Sequence, residues 1–186
     1  MDNRQKIVTS AKEMFWRHGY STTSPRQVME ASGVGQGSYY HHFPAKTDLA
    51  REVVVANGRD LLEKTRAAMR DLPTGRERLA GVLSLAGDAL AGCRVGGFTY
   101  DAGMLAEPEL REAIGSVFAA LAEVVEEAVR DGKADGSLSS ELVPEETAAM
   151  LLAVLQGVFV LARATGSQKS ADAAVAGALA LLTPQP

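Results

Sequence analysis

The amino-acid sequence predicts an all-α protein of about nine helices. Three observations carry this. Apolar residues recur at three- and four-residue spacing through most of the chain, and no segment shows the two-residue alternation of a half-buried strand. The composition, 46% hydrophobic with only 5% aromatic residues, is rich in Ala and Leu and poor in β-branched runs. Such a composition suits packed helices better than sheets. At 186 residues the chain can form one or two small domains with a real core.

The elements can be placed in order. Between Arg4 and His18, Ile7, Val8, Ala11, Met14 and Phe15 form one helical stripe, and Gly19 supplies a C-terminal stop. Ser24 before Pro25 reads as an N-cap followed by proline at the first helical position, where its missing N–H costs nothing. This second helix should end near Ala31, because Ser32-Gly33 interrupts it. A third short helix runs from Gly35 or Gln36 to His42 and is closed by Pro44. Lys46 lies near the start of a long helix through Leu49, Val53, Leu61, Leu62 and Met69 to about Arg70.

Leu72-Pro73-Thr74-Gly75 reads as a linker, after which Leu79, Val82, Leu83, Ala86 and Leu90 mark another helix. The glycine-rich stretch from Gly92 to Gly103 holds a short or irregular one. Glu107-Pro108 opens a long helix with Leu110, Ile114, Val117, Phe118, Leu121, Val125 and Ala128 on one face, and Asp131-Gly132 to Ser140 reads as a polar turn. Pro144 opens a helix that is apolar nearly all round from Ala148 to Ala164. The last helix runs from Ser170 to about Leu182.

The net charge of −4 is unevenly spread. Residues 1–50 carry six basic side chains against four acidic ones and all three histidines, while the remainder carries 13 basic against 19 acidic. A mildly basic head on an acidic body can present positive charge locally to phosphates. No apolar stretch reaches the roughly 18 residues of a membrane span, and the N-terminus lacks a signal-peptide core, so the expected location is the cytoplasm, with no membrane partner. The single cysteine, Cys93, excludes an intramolecular disulfide and any multi-cysteine zinc cluster. No metal or cofactor is expected.

Two short helices joined by Ala31-Ser32-Gly33-Val34 have the form of a helix-turn-helix, whose second helix can enter the DNA major groove. That second helix carries Gln36, Ser38, Tyr40, His41 and His42 where a plain surface helix more often carries Glu and Lys. On pattern alone an ordinary helix pair within a bundle fits as well. The two rival classes are an enzyme and a helical adaptor. The body contains no histidine, and the chain has no phosphate loop, nucleotide fingerprint or HExxH motif for an enzyme to use. An adaptor leaves the tyrosine- and histidine-rich helix unexplained.

The run from Ile7 to Leu49 resembles the DNA-binding domain of the TetR family of bacterial regulators. The resemblance rests on Phe15, His18-Gly19-Tyr20, Thr23-Ser24, Val28, Ala31, Gly33, Val34 and Gly37-Ser38-Tyr39-Tyr40-His41-His42-Phe43 followed by Lys46. It implies a DNA-binding domain over residues 1–48, a ligand-binding and dimerisation domain over 49–186, and operator DNA as partner. It further implies that Gln36, Gly37 and His41 face base edges, joined by Arg26, whereas Thr23, Ser24, Tyr40, His42 and Lys46 hold phosphates. Chemically, Gln suits adenine and Arg suits guanine, and Gly37 admits close backbone approach. Tyr39 is expected in the core beside Phe15, Val28 and Phe43. Gly35 stands where the family usually caps with Ser or Thr, and Met29 replaces a smaller residue.

For the body, the resemblance implies a homodimer formed by the last two helices, with Leu151, Leu155, Val158, Phe159, Val175 and Leu179 as candidate interface residues. It also implies a pocket for a small hydrophobic ligand whose binding releases the operator. Phe98, Tyr100, Met104, Phe118 and Met150 are its candidate lining, and Arg94, Asp101 and Gln156 its candidate polar anchors. Taken singly, each of these fits plain core or surface better than a pocket. Cys93, next to Arg94 at an expected helix start, admits a thiol-sensor reading beside that of a small buried residue.

Overall fold

The computed structural model describes residues 2–182, so the outer ends of the two expected domains, residue 1 and residues 183–186, lie outside it. Every regular element among the described residues is helical: α1 (Asn3–His18), α2 (Pro25–Ser32), α3 (Gln36–His42), α4 (Lys46–Met69), α5 (Gly75–Leu83), α6 (Ala102–Ala106), α7 (Pro108–Ala134), α8 (Pro144–Thr165) and α9 (Lys169–Leu181). Two 3₁₀ segments, Ser84–Asp88 and Gly96–Tyr100, accompany them among the described residues. Two compact units divide it: Met1–Asp60 with Arg94–Val117, and Leu61–Cys93 with Phe118–Pro186. Residues 94–117 thus group with the N-terminal helices, and α4 and α7 each contribute residues to both units.

Local chemistry explains the boundaries. Asp2 caps α1 by accepting from Gln5 N–H at 2.7 Å, and Gly19 ends the helix at φ 86°. Thr74 and Glu77 form a reciprocal capping box that starts α5 at Gly75, ahead of the apolar stripe at Leu79. The expected helix through Leu90 instead tightens to 3₁₀ geometry after Leu83. There the side chain of Gln168 takes over two backbone groups, accepting from Ala89 N–H at 3.0 Å and donating to Ala86 C=O at 2.7 Å. Helix α7 also runs past Asp131-Gly132, where a turn was expected. There the α5 terminus packs on Gly132: a Cβ at Gly75 would collide with the Gly132 backbone and with Ala128 C=O.

The first unit buries Ile7, Val8, Ala11, Phe15, Val28, Val34, Tyr39, Phe43, Leu49 and Val53. The second gathers Leu79, Val82 and Leu83 of α5, Val125, Ala128 and Val129 of α7, and Leu151, Leu155 and Val158 of α8 into one core. Helix α8 is long and apolar enough to cross a membrane by length and composition, which a search for uninterrupted apolar runs overlooks. Only 33% of its apolar window is buried.

Candidate nucleic-acid interface

Ser24 sets the entry of the helix-turn-helix. Its hydroxyl accepts from Gln27 N–H, and the Gln27 side chain accepts in return from Ser24 N–H at 2.8 Å. Pro25 occupies the first turn of α2. Gly33 closes α2 at φ 66°, in the left-handed region that glycine enters without penalty, and the chain turns directly into α3. Gly35 caps α3 with no side-chain hydrogen bond, as its lack of a hydroxyl requires.

Helix α3 is held by one face. Tyr39 is fully buried, its ring tilted against Phe43 at 6.4 Å between centroids and edge-on to Tyr40 at 5.1 Å. Burial, then the neighbouring Tyr40, pushes its phenol up to about 12, and its hydroxyl has no hydrogen-bond partner among the described residues. Asn3 on α1 donates to Ser38 Oγ at 3.1 Å, and Arg4 lies over the Phe43 ring and pairs with Glu52 at 2.8 Å. The opposite face is left to solvent: Gln36, Gly37, Tyr40 and His41 are exposed, and His42 is half-buried with its ring 5.2 Å from that of His41.

Around this face the candidates separate by environment. Arg26 projects from α2 and pairs with Glu30 through its Nε at 2.8 Å. Ser24 is exposed, whereas Thr23 is buried and donates its hydroxyl to Gly19 C=O at 2.7 Å. Ser38 is half-buried and engaged by Asn3. Lys46 is half-buried with its ammonium 4.1 Å from the centre of the Tyr20 ring, a cation–π seat. Burial lowers its pKa and the Asp101 carboxylate opposes that shift.

The candidates in the body are placed less simply. Phe98 and Met104 are core residues, whereas Tyr100 is 76% exposed. Phe118, Met150 and Gln156 are half-buried in the second unit. Arg94 is engaged by Glu13 at 2.5 Å and lies over the Trp16 ring at 5.7 Å, and Asp101 accepts from Ser21 N–H at 2.9 Å. The Arg94 hydrogen bond, against the cost of burial, holds the Glu13 carboxyl below its ordinary value. Cys93 is half-buried and precedes the 3₁₀ segment by three residues, and Arg94 beside it pairs with Glu13.

The expected interface residues also divide. Leu151, Leu155 and Val158 are buried in the chain's own core, and Phe159, Val175 and Leu179 are half-buried against it. The apolar residues that α8 leaves exposed are Ala149, Ala153, Val160, Leu161 and Ala164; those of α9 are Ala173, Ala176, Ala180 and Leu181. Their three- and four-residue spacing makes a stripe on each helix. Periodicity could not separate this stripe from the core, because α8 is apolar on both sides.

A capped α2, a glycine turn and an α3 presenting polar groups from a buried aromatic base define a helix-turn-helix DNA-binding protein. Comparison with known proteins identifies its kind. A family model described as "Bacterial regulatory proteins, tetR family" matches residues 7–53, and one described as "Tetracyclin repressor-like, C-terminal domain" matches residues 77–178. The chain belongs to the TetR family of transcriptional regulators, which are not enzymes and which bind operator DNA. It is 26% identical to the HTH-type transcriptional repressor DhaR of Mycobacterium sp. (strain GP1) over 161 residues, covering 84% of this chain and 80% of that protein. Escherichia coli NemR in its reduced form shares the fold with a TM-score of 0.91 over 100% of both chains at 17% identity. A cysteine mutant of the TetR family regulator CifR, complexed with 26bp double-strand operator DNA, matches with a TM-score of 0.82 at 24% identity, covering 96% of this chain and 95% of that one.

Proposed function

We propose that this protein is a repressor that binds a pseudo-palindromic operator as a homodimer and is released by a small hydrophobic ligand, acting in the cytoplasm. The exposed polar face of α3, with Gln36, Gly37 and His41 forward, carries the DNA-reading part of this proposal. Gln36 and His41 read base edges with Arg26 beside them, and Gly37 brings backbone close to the bases. Ser24, Tyr40, His42 and Lys46 hold phosphates. Thr23, whose hydroxyl is taken by Gly19, contributes through the shape of the turn rather than through its side chain. Family membership and the likeness to a named repressor support the regulatory direction.

Two substitutions separate the roles. Gln36→Ala is expected to cost about 1–3 kcal/mol on the cognate site and to relax the preference at one base pair. Lys46→Ala is expected to weaken binding on every sequence and to make the slope of log affinity against log salt shallower by roughly 0.9. Gel shifts with genomic fragments, followed by titrations over a salt series, measure both. Equal loss on cognate and random DNA for Gln36→Ala removes its base-reading role.

Release by ligand rests on α4, which contributes to both compact units. A ligand in the body that favours the non-binding arrangement by about 1–3 kcal/mol is an adequate inducer, and linkage requires operator DNA to weaken ligand binding by the same factor. Once thermal-shift screening of hydrophobic metabolites yields a binder, calorimetry with and without operator is expected to show that difference. Identical affinities in the two titrations would mean that the body does not control DNA binding.

A further inference from the structure

Asp101 lies outside the matched DNA-binding segment, 80 residues from Ser21, yet it holds the turn that leads into the helix-turn-helix. Ser21 N–H donates to Asp101 Oδ2 at 2.9 Å, and the Ser21 hydroxyl donates to Oδ1. The same Oδ1 accepts from Gly103 N–H at 3.0 Å and Met104 N–H at 3.2 Å, so one carboxylate caps α6 and clasps the α1–α2 turn together. The fit is close on both sides. A Cβ at Gly103 would collide with Ser21 Oγ, and one at Gly19 would stand 3.2 Å from Asp101 Oδ2.

Burial raises the Asp101 carboxyl, but the Ser21, Met104 and Gly103 donors more than offset this and hold it below its ordinary value, so it is a charged acceptor near neutral pH. Two further contacts bind the same stretch to α1. Arg94 pairs with Glu13 at 2.5 Å, and Gly97 lies so close to Trp16 that a Cβ there would stand 2.7 Å from the ring.

We infer that Asp101 is a positioning residue for DNA binding, fixing the Ser21–Ser24 turn and the Lys46 ammonium so that both meet the phosphate backbone. The turn it clasps runs directly into the Ser24 cap of α2, and Tyr20, the residue before Ser21, is the ring on which Lys46 sits. Asp101 itself touches no DNA in this reading, which rests on the proposed phosphate roles of Ser24 and Lys46.

The sign of the effect makes the inference testable. An acidic side chain close to a DNA-binding face repels phosphate, so by charge alone Asp101→Asn should tighten binding. Positioning predicts the reverse: about tenfold weaker binding, the cost of a lost charge-assisted hydrogen bond to phosphate. The salt slope should also fall by roughly 0.9. Fluorescence anisotropy of the full chain on a short random-sequence duplex, over a salt series, reads both quantities. Tighter or unchanged binding overturns the inference. Weaker binding at an unaltered slope also overturns it, because a loss of folded protein lowers affinity without removing a phosphate contact.

Gly103→Ala keeps the carboxylate but turns the Ser21 hydroxyl away from it, and is expected to weaken binding in the same direction. Should Asp101→Asn fail to fold, Gly103→Ala carries the test on the same two criteria. Lys46→Ala in the same titration separates the underlying reading. An unchanged slope there overturns the phosphate reading and this inference with it. A shallower Lys46→Ala slope beside a wild-type Asp101→Asn slope overturns the inference alone.

Discussion

Val160→Glu is expected to yield a monomer at micromolar concentration and to lower operator affinity by about 10²- to 10⁴-fold. Val160 is 47% exposed at the middle of the apolar stripe of α8, between Ala153 and Ala164, with Leu161 beside it at 48%. A charge there stays in water on the single chain, so the fold tolerates it, whereas an apolar interface of two such stripes does not. Small residues on both stripes let helices approach closely, which suits packing of α8 and α9 against their copies about a two-fold axis. The loss in DNA affinity is large because each reading head is small. Joining two heads converts the second half-site contact into an intramolecular event, and separating them removes that gain without touching any DNA contact.

Sedimentation velocity checks the assembly and anisotropy on the operator checks the affinity, with circular dichroism confirming that helix content is kept. The wild-type melting temperature should rise with protein concentration, and that of the variant should not. A variant that remains dimeric, or a monomer that binds operator as tightly as the wild type, would falsify the α8–α9 interface. Leu155→Glu is the wrong test for this purpose. Leu155 is only 5% exposed within the second unit, so a charge there breaks the fold before it reaches any partner.

That distinction marks where sequence reading reaches its limit. Local signals were enough for the helix-turn-helix: Ser24-Pro25 sets the start of α2, Gly33 its end, and the aromatic run of α3 its buried base, because capping and turn chemistry act within four residues. Amphipathic helices such as α1 also declare their inner face. Helix α8 does not, since a helix apolar all round has no phase from which to read which side is core. The partners of Arg94 and Asp101 are illegible in the sequence for another reason. These partners, Glu13 and Ser21, lie 81 and 80 residues away, and no periodicity links residues so far apart. The α5 start was legible in the Thr74-to-Glu77 capping-box spacing but was hidden by the more obvious stripe at Leu79.

Gly75→Ala is expected to destabilise the protein by about 3 kcal/mol, at or above the upper end for overpacking, because what its Cβ meets is backbone rather than a movable side chain. Gly75 opens α5 where that helix crosses α7, and its Cβ would enter the space of Gly132 N, Gly132 Cα and Ala128 C=O. The crossing is pinned from both sides. Gly75 N–H donates to Asp135 Oδ2 at 2.8 Å, Arg76 N–H donates to Ser137 Oγ at 3.1 Å, and Gly132 is itself pressed against the Leu138 side chain. Moving α5 away to admit a methyl group would break those hydrogen bonds and open the core at Leu79 and Leu83. Gly115→Ala provides the contrast. Gly115 is an exposed position within α7 with nothing inside 4 Å of its would-be Cβ, so helix propensity alone acts and the change is expected to stabilise by about 1 kcal/mol. Thermal and urea melts of both variants at equal protein concentration check the pair. A neutral Gly75→Ala beside a stabilised Gly115→Ala would mean that α5 and α7 do not approach as closely as this crossing requires.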